Sequence, residues 1–241
     1  MTNERQHFDR LFRETGHTWW GRTTPAGRRR DEKKMALFRE LIRPRPGETL
    51  LEVGCGSGEF TTRLRGLGLE VRAFDLTAPC VAHAALDLAG DPGFGFCVAD
   101  IGKIPFRTGA FDICFGVSIL HHVPVAPAFA EIARVLRPGG RFFFSEPNLL
   151  NPQILIEKKI PWVKARLEGT PDETAFLRGR LGRRLNAIPG VKARVRNIDF
   201  LHPALPARWV DRAARASDVL EKVPLLREIS GSLAIWGTIG E

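Results

Sequence analysis

The chain contains no tyrosine and only two methionines, and its four cysteines, Cys55, Cys80, Cys97 and Cys114, form no Cys-x-x-Cys pair. The missing phenols leave histidine and carboxylate as the groups able to move a proton near neutral pH. Scattered cysteines fit neither a zinc site nor a disulfide framework, so no metal is expected and a reducing, cytoplasmic setting suits the chain. No run of about 18 apolar residues is present, which argues against a membrane-spanning helix. The first twenty residues carry charge throughout and lack the apolar stretch of a secretory signal. There is no repeat and no low-complexity tract.

What is present is a globular composition, 44% hydrophobic and 26% charged over 241 residues. That length suits one large single-core domain with smaller additions. The formal charge of +9 is unevenly spread. Residues 1–46 hold 12 Lys/Arg against 6 Asp/Glu, residues 47–150 hold 8 against 11, and residues 151–241 hold 16 against 10. A mildly acidic middle between two basic flanks points to an anionic partner for the flanks, or to arginine used only for solubility.

The middle segment alternates strand and helix. Apolar runs at Thr49–Val53, Leu69–Asp75, Phe94–Ala99, Phe111–Ser118 and Arg141–Ser145 read as strands. Phe60, Leu64 and Leu67 fall at helical spacing between the first two, and residues 78–89 form a second helical stretch. Phe129, Ile132, Ala133 and Leu136 mark a helix face stopped by Pro138-Gly139-Gly140. This alternation predicts a doubly wound, mostly parallel α/β sheet. Further on, Thr170-Pro171-Asp172-Glu173 reads as a helix start, followed by Leu177, Leu181, Leu185 and Ile188 on one face. Val191, Ala193 and Val195 alternate with Lys192, Arg194 and Arg196 as in an edge strand, and residues 232–239 read as a last apolar strand. Residues 1–46 are expected to form a helical flap and 47–148 the core. Residues 149–241 are expected to supply cap insertions, at about 147–169 and 202–230, together with the last strands.

Ligands of an open α/β sheet bind at the carboxyl ends of its strands. The first strand ends in Glu52-Val53-Gly54-Cys55-Gly56-Ser57-Gly58, a loop whose glycines admit a close ligand. Asp75 ends the second strand, where a carboxylate can accept from both ribose hydroxyls, and Asp100 follows the third. Three carboxylates around one crevice disfavour a pyrophosphate and favour a cofactor that carries positive charge.

These residues resemble the class I S-adenosylmethionine-dependent methyltransferases. The likeness rests on the Glu-x-Gly-Cys-Gly-x-Gly loop, Asp75, Ala99-Asp100-Ile101, Ile104-Pro105-Phe106, Gly109-Ala110-Phe111-Asp112, Leu120-His121-His122 and Leu136-Arg137-Pro138-Gly139-Gly140. Their order over residues 47–148 is similar to the branch containing the ubiquinone and menaquinone biosynthesis methyltransferases. The resemblance implies seven strands with a reversed final hairpin, and S-adenosylmethionine as cofactor. It also implies cofactor contacts at Glu52, Gly54, Cys55, Gly56, Gly58, Asp75, Leu76, Asp100, Ile101, Val117 and Ser118, with Asp75 at the ribose and Asp100 and Ile101 at the adenine.

Methyl transfer needs a base only when the acceptor is a hydroxyl or carbon acid. His121 and His122, after the fourth strand, and Glu146, at the end of the fifth, are the candidates. Trp19, Trp20 and His202 could line an acceptor site. A small-molecule acceptor, hydrophobic or anionic, is expected, with O- or C-methylation. The stretch 154–166, with Lys158, Lys159, Lys164 and Arg166 among apolar residues, could touch an anionic membrane or pack as a cap. Arg28-Arg29-Arg30 with Lys33-Lys34 could bind phosphates or form a solvated helix end. RNA or protein methylation, or a non-catalytic cofactor-binding subunit, are the alternatives. Against a nucleic-acid partner, the fourth strand ends in Gly116-Val117-Ser118-Ile119-Leu120 rather than Asn-Pro-Pro-aromatic, and no RNA-binding module is recognisable.

Overall fold

In the computed structural model the described residues are 2–15, 23–166 and 174–240. The five runs of the middle segment pair in parallel as β1 (Thr49–Val53), β2 (Glu70–Asp75), β3 (Phe94–Val98), β4 (Phe111–Val117) and β5 (Leu136–Pro147). With β6 (Val191–Ile198) and β7 (Ser232–Ile239) they make a seven-stranded sheet in the order β3-β2-β1-β4-β5-β7-β6. β7 runs antiparallel to both its neighbours, the reversed hairpin expected of the last two strands. The helices are α1 (Thr2–Thr15), α2 (Pro25–Ile42), α3 (Glu59–Leu64), α4 (Ala78–Asp87), α5 (Val125–Val135), α6 (Pro152–Lys159), α7 (Pro161–Arg166), α8 (Arg178–Asn186), α9 (Ala207–Leu220) and α10 (Pro224–Arg227).

Side-chain alternation along the strands divides the core in two. Leu50, Ile113, Phe115, Phe143 and Ala234 face one way and meet Met35, Phe38 and Ile42 of α2 and Phe60 of α3. Leu51, Cys114, Phe142, Phe144 and Ile235 face the other way and meet Phe129 and Ile132 of α5 and Leu181 and Leu185 of α8. Three successive phenylalanines suit β5 because its two faces are both buried, and none of the three is exposed.

Two sequence expectations need correction. α5 stops at Val135, and Leu136 is the first residue of β5, paired with Phe111. The strand therefore starts before Pro138-Gly139-Gly140, and a register shift between Phe111 and Ile113 takes up that turn. The second concerns α8. Thr170–Glu173 lie outside the described residues, and the helix begins only at Arg178, because residues 174–177 are not helical. The Phe176 N–H donates to the Pro147 carbonyl at 3.0 Å and its carbonyl accepts from the Leu149 N–H at 2.9 Å, which buries the Phe176 ring against the end of β5. Burying an aromatic ring outweighs the gain of another helical turn.

Two residues of the basic cluster of α2 clasp the C-terminal part of the chain. Arg30 pairs with the buried Asp199 at 2.7 Å, and Lys33 with Asp218 at 2.8 Å and Glu221 at 2.5 Å. The Thr24 side chain caps α2 at Gly27 N–H and donates to the Pro203 carbonyl. Between residues 150 and 166, α6 and α7 are broken at Ile160, with Pro161 opening α7, and Leu155, Ile156 and Trp162 are exposed. Among the described residues no helix is long and apolar enough to cross a membrane.

Asp112, at the start of β4, ties β1 to the turn after α5. Burial acts to raise its pKa. Hydrogen bonds from the Thr49 N–H (2.7 Å) and hydroxyl (2.8 Å), and the ion pair with Arg137, outweigh this and hold it below its ordinary value. A depressed folded-state pKa stabilises the protein above the unfolded value, and the effect is lost as pH falls through the folded one. The urea midpoints of wild type and Asp112→Asn are expected to differ at about pH 6 and to converge below about pH 4. A gap that held constant with pH would show that Asp112 contributes nothing through its charge.

Candidate active site

The parallel register sets the carboxyl ends of β1 to β5 along one edge. Val53 pairs with Phe74 on one side and Gly116 on the other, Asp75 pairs with Val98, and Val117 pairs with Ser145. β1 leads outward to β2 and β3, and the chain then returns to the other side of β1 as β4. The reversal opens a crevice between β1 and β4. Every described cofactor candidate from the sequence lies in β1 to β4 or in the turns that leave them.

The β1–α3 turn is shaped by glycine. Gly54, Gly56 and Gly58 have φ of +70°, +53° and +92°, a region costly for other residues. A Cβ on Gly54 would stand 2.9 Å from the Ile119 side chain, and one on Gly58 would stand 3.0 Å from Ala84 Cβ and 3.1 Å from its Cα. Gly58→Ala combines backbone strain with a clash against α4 and is expected to cost about 1–3 kcal/mol of stability. Denaturant titration of the variant checks this; an unchanged midpoint would mean the turn has room to spare.

The Asp75 carboxylate is built into this turn. Its Oδ2 accepts from the Gly56 N–H at 3.0 Å, and its Oδ1 accepts from the Thr77 N–H at 3.0 Å and the Thr77 hydroxyl at 2.5 Å. Leu76 is half-buried beside it. Asp100 Oδ1 accepts from the Gly102 N–H at 2.7 Å, and Ile101 is buried. Glu52 is buried within β1. Burial, then the negative charges of Glu52 and Asp75, raise the Cys55 thiol well above its usual range. Burial likewise pushes Cys80 up to about 12. Neither cysteine is a nucleophile at neutral pH. The same field makes the turn a favourable place for a positively charged group. A crevice floored by side-chain-free backbone and ringed by carboxylates fits S-adenosylmethionine, which carries a sulfonium, an ammonium and a ribose.

Val117, the last residue of β4, is buried, and Ser118 after it is exposed with φ +59°, an uncommon conformation for a residue with a Cβ. Leu120–His122 form a single 3-10 turn. Glu146, buried at the end of β5, fastens that turn. Its Oε1 accepts from the Ile119 and Leu120 N–H groups at 3.0 and 2.8 Å, and its Oε2 lies 2.7 Å from His121 Nδ1. The rings of His121 and His122 are 4.0 Å apart. The structure thus joins His121 and Glu146, two side chains that sequence alone offers as separate bases.

Three substrate candidates fare differently. Trp19 and Trp20 lie outside the described residues. His202 sits in an exposed turn, bonded to Gln153 at 2.8 Å and to the Ala204 N–H at 3.1 Å, away from the strand-end residues in its hydrogen bonding. Two residues not singled out from sequence border the histidine pair. Phe8 of α1 meets the His122 ring edge-on at 5.3 Å, and the Thr174 N–H donates to the His121 carbonyl at 3.1 Å. Phe8, Leu11 and Phe12 form a helical stripe that marks α1 as a packing helix; Thr174 carries no such signal. Among the described residues no group of His, Cys, Asp and Glu could hold a metal ion.

Comparison with known proteins agrees with this geometry. Residues 51–144 match the family described as "Methyltransferase domain". The chain is 39% identical over 103 residues to malonyl-[acyl-carrier protein] O-methyltransferase of Serratia marcescens, covering 42% of this chain and 38% of that protein. It is 28% identical over 185 residues to ubiquinone biosynthesis O-methyltransferase of Burkholderia thailandensis, covering 74% and 79%. The chain thus spans about two fifths of the first relative's length. In fold it is similar to phosphoethanolamine N-methyltransferase 2 of Haemonchus contortus, solved with phosphomonomethylethanolamine and S-adenosylhomocysteine. The TM-score is 0.71 at 16% identity, over 98% of this chain and 60% of that one. Residues 51–144, which hold the glycine turn and the strand-end acids, thus match a methyltransferase domain within a fold similar to that of a solved, S-adenosylhomocysteine-bound methyltransferase.

Proposed function

We propose that the protein methylates a small-molecule acceptor at an oxygen or acidic carbon, with His121 as the base. The observation that carries this reading is the 2.7 Å contact between His121 Nδ1 and Glu146 Oε2 at the carboxyl edge of β4 and β5. A carboxylate only accepts, so the shared proton sits on Nδ1 and Nε2 is the basic atom of the ring. Glu146 acts through His121 and is a positioning residue. The names of the two curated relatives, both O-methyltransferases, favour oxygen as the acceptor atom.

Bound, S-adenosylmethionine supplies an electrophilic methyl group on its sulfonium. The Gly54–Gly58 turn, with Cys55 packed beneath it, would hold the methionine portion, and the buried charge of Glu52 favours its cationic groups. Asp75 and Leu76 would hold the ribose, Asp100 and Ile101 the adenine, and Val117 and Ser118 the β4 side. A carboxylate has about four acceptor sites, and three of those on Asp75 are taken by Gly56 and Thr77, so two ribose hydroxyls would displace the Thr77 hydroxyl. The protein's part is then to align the acceptor, exclude water and take its proton. Four free thiols fit a reducing, cytoplasmic setting.

An RNA partner is less favoured because two of the α2 cations, Arg30 and Lys33, are engaged by Asp199, Asp218 and Glu221. Incubation with methyl-labelled S-adenosylmethionine and cell extract, followed by separation into lipid, aqueous small-molecule and macromolecular fractions, tests the proposal. Label in either small-molecule fraction supports it; label only in RNA or protein overturns it.

A further inference from the structure

α1 joins the two sides of the crevice. Its Phe8 meets the ring of His122, beyond β4, at 5.3 Å, and its Phe12 meets the ring of His83, on α4, at 5.9 Å. His83 in turn places Nδ1 3.3 Å from the Ser57 carbonyl of the glycine turn. Phe8 and Phe12 are four residues apart and share one helix face, and Asp9, three before Phe12, borders that face. The packing closes one oxygen of Asp9 off from solvent. Its Oδ1 is buried and has no hydrogen-bond partner among the described residues. A carboxylate oxygen held dry and unbonded is unfavourable, and marks a place where a donor belongs.

Asp9 belongs to the Asp75 side of the crevice. Cys80 stands in the first turn of α4, two residues after the start of that helix. Burial raises its thiol most, and against a hydrogen bond with Thr77 the negative charges of Asp75, Glu59 and Asp9 raise it further. The three carboxylates therefore act on one sulfur atom, and a charge fades with distance. In the placement proposed above, the glycine turn takes the methionine portion of the cofactor and Asp100 the adenine. That leaves the ribose as the portion beside Asp75. Two ribose hydroxyls on Asp75 would displace the Thr77 hydroxyl, whereas one on Asp75 and one on Asp9 leave it in place.

We infer that Asp9 is a further cofactor-binding residue, whose Oδ1 accepts a hydrogen bond from a ribose hydroxyl of S-adenosylmethionine. The inference deepens the methyltransferase reading and rests on it. It gives α1 a part in the reaction besides packing. The helix that carries Phe8 to the histidine pair is then fastened on its other flank by the cofactor itself.

Two probes are titrated calorimetrically into the full chain: S-adenosylhomocysteine, and methylthioadenosine, which keeps the ribose and adenine but lacks the amino-acid end. Wild type is compared with Asp9→Ala, Asp9→Asn and Glu14→Gln, the last removing an exposed charge from the same helix. Asp9→Ala is expected to weaken both probes at least about tenfold and to a similar degree. Asp9→Asn is expected to weaken them less, because an amide oxygen still accepts, and Glu14→Gln to stay within about twofold of wild type. Unchanged affinity in Asp9→Ala overturns the contact, and is the result for an oxygen that meets only water. Weakened S-adenosylhomocysteine with unchanged methylthioadenosine also overturns it, since Asp9 then serves the ammonium. Equal weakening by Glu14→Gln overturns it as a general effect of charge. Urea midpoints of the unliganded proteins expose a merely structural role. Asp9→Ala is expected to be no less stable than wild type, because nothing donates to Oδ1 there and alanine favours a helix. A lowered midpoint together with lowered affinity assigns Asp9 to the fold and overturns the contact. Wild type that binds neither probe removes the methyltransferase reading and the contact with it. Wild type that binds both, with every Asp9 variant unaffected, removes the contact alone.

Discussion

Asp75→Ala is expected to lower the affinity for S-adenosylhomocysteine at least tenfold, about 1.4 kcal/mol or more. Two effects act in the same direction. The variant loses the acceptor proposed for the ribose hydroxyls, and it releases the Gly56 N–H, whose bond to Asp75 Oδ2 helps hold the glycine turn closed. Asp75→Asn separates them, because an amide can keep one acceptor oxygen for Gly56 while weakening the ribose contact. The expected order of affinity is wild type, then Asn, then Ala. Calorimetry reads the affinity, and circular dichroism confirms that the sheet is intact. Affinity unchanged in the alanine variant would remove Asp75 from the cofactor site.

Glu146→Gln is expected to reduce the rate of methyl transfer by roughly 100-fold while leaving cofactor affinity within about twofold. The glutamine oxygen can still accept from the Ile119 and Leu120 N–H groups, so the 3-10 turn keeps its fastening. Its NH2 then faces His121 Nδ1 and donates to it, which forces the ring proton onto Nε2 and removes the basic atom. Label transfer from methyl-labelled S-adenosylmethionine measures the rate, and calorimetry the affinity. His121→Ala is expected to lose as much, and the double variant no more than either single one, since the two side chains act as a unit. A full rate in Glu146→Gln would show that the pair serves the fold alone. Equal losses of rate and cofactor affinity would point to a collapsed turn instead.

What could be read from sequence follows from the range of each interaction. β1 and β7 occupy the expected residues because an apolar run bounded by glycine or turn residues is a local signal. The glycine turn, Asp75 and Asp100 are legible for the same reason, each lying within a few residues of a strand end. Leu136 misleads because its helical spacing from Ile132 is local, whereas its pairing with Phe111 is not. The start of α8 depends on Phe176 meeting Pro147 and Leu149, a contact no periodicity contains. In the basic run of α2, Arg30 and Lys33 find their counter-charges far along the chain, at Asp199, Asp218 and Glu221. The His121–Glu146 contact belongs between these cases: sequence names both residues as rivals, and only the fold makes them partners.

The position of β7 bears on how the molecule is made. It is the last of the seven strands to be synthesised, yet it lies between β5 and β6 and contributes Leu233, Ala234 and Ile235 to the interior. A nascent chain that has emerged only as far as α10 can form the β1 to β5 half with its helices. It does so with the phenylalanine-rich β5 as an open edge and β6 without a strand to join. Such a half-built sheet is a template for pairing with a neighbouring chain. Only the emergence of residues 232–239 and their pairing with β5 and β6 closes that window.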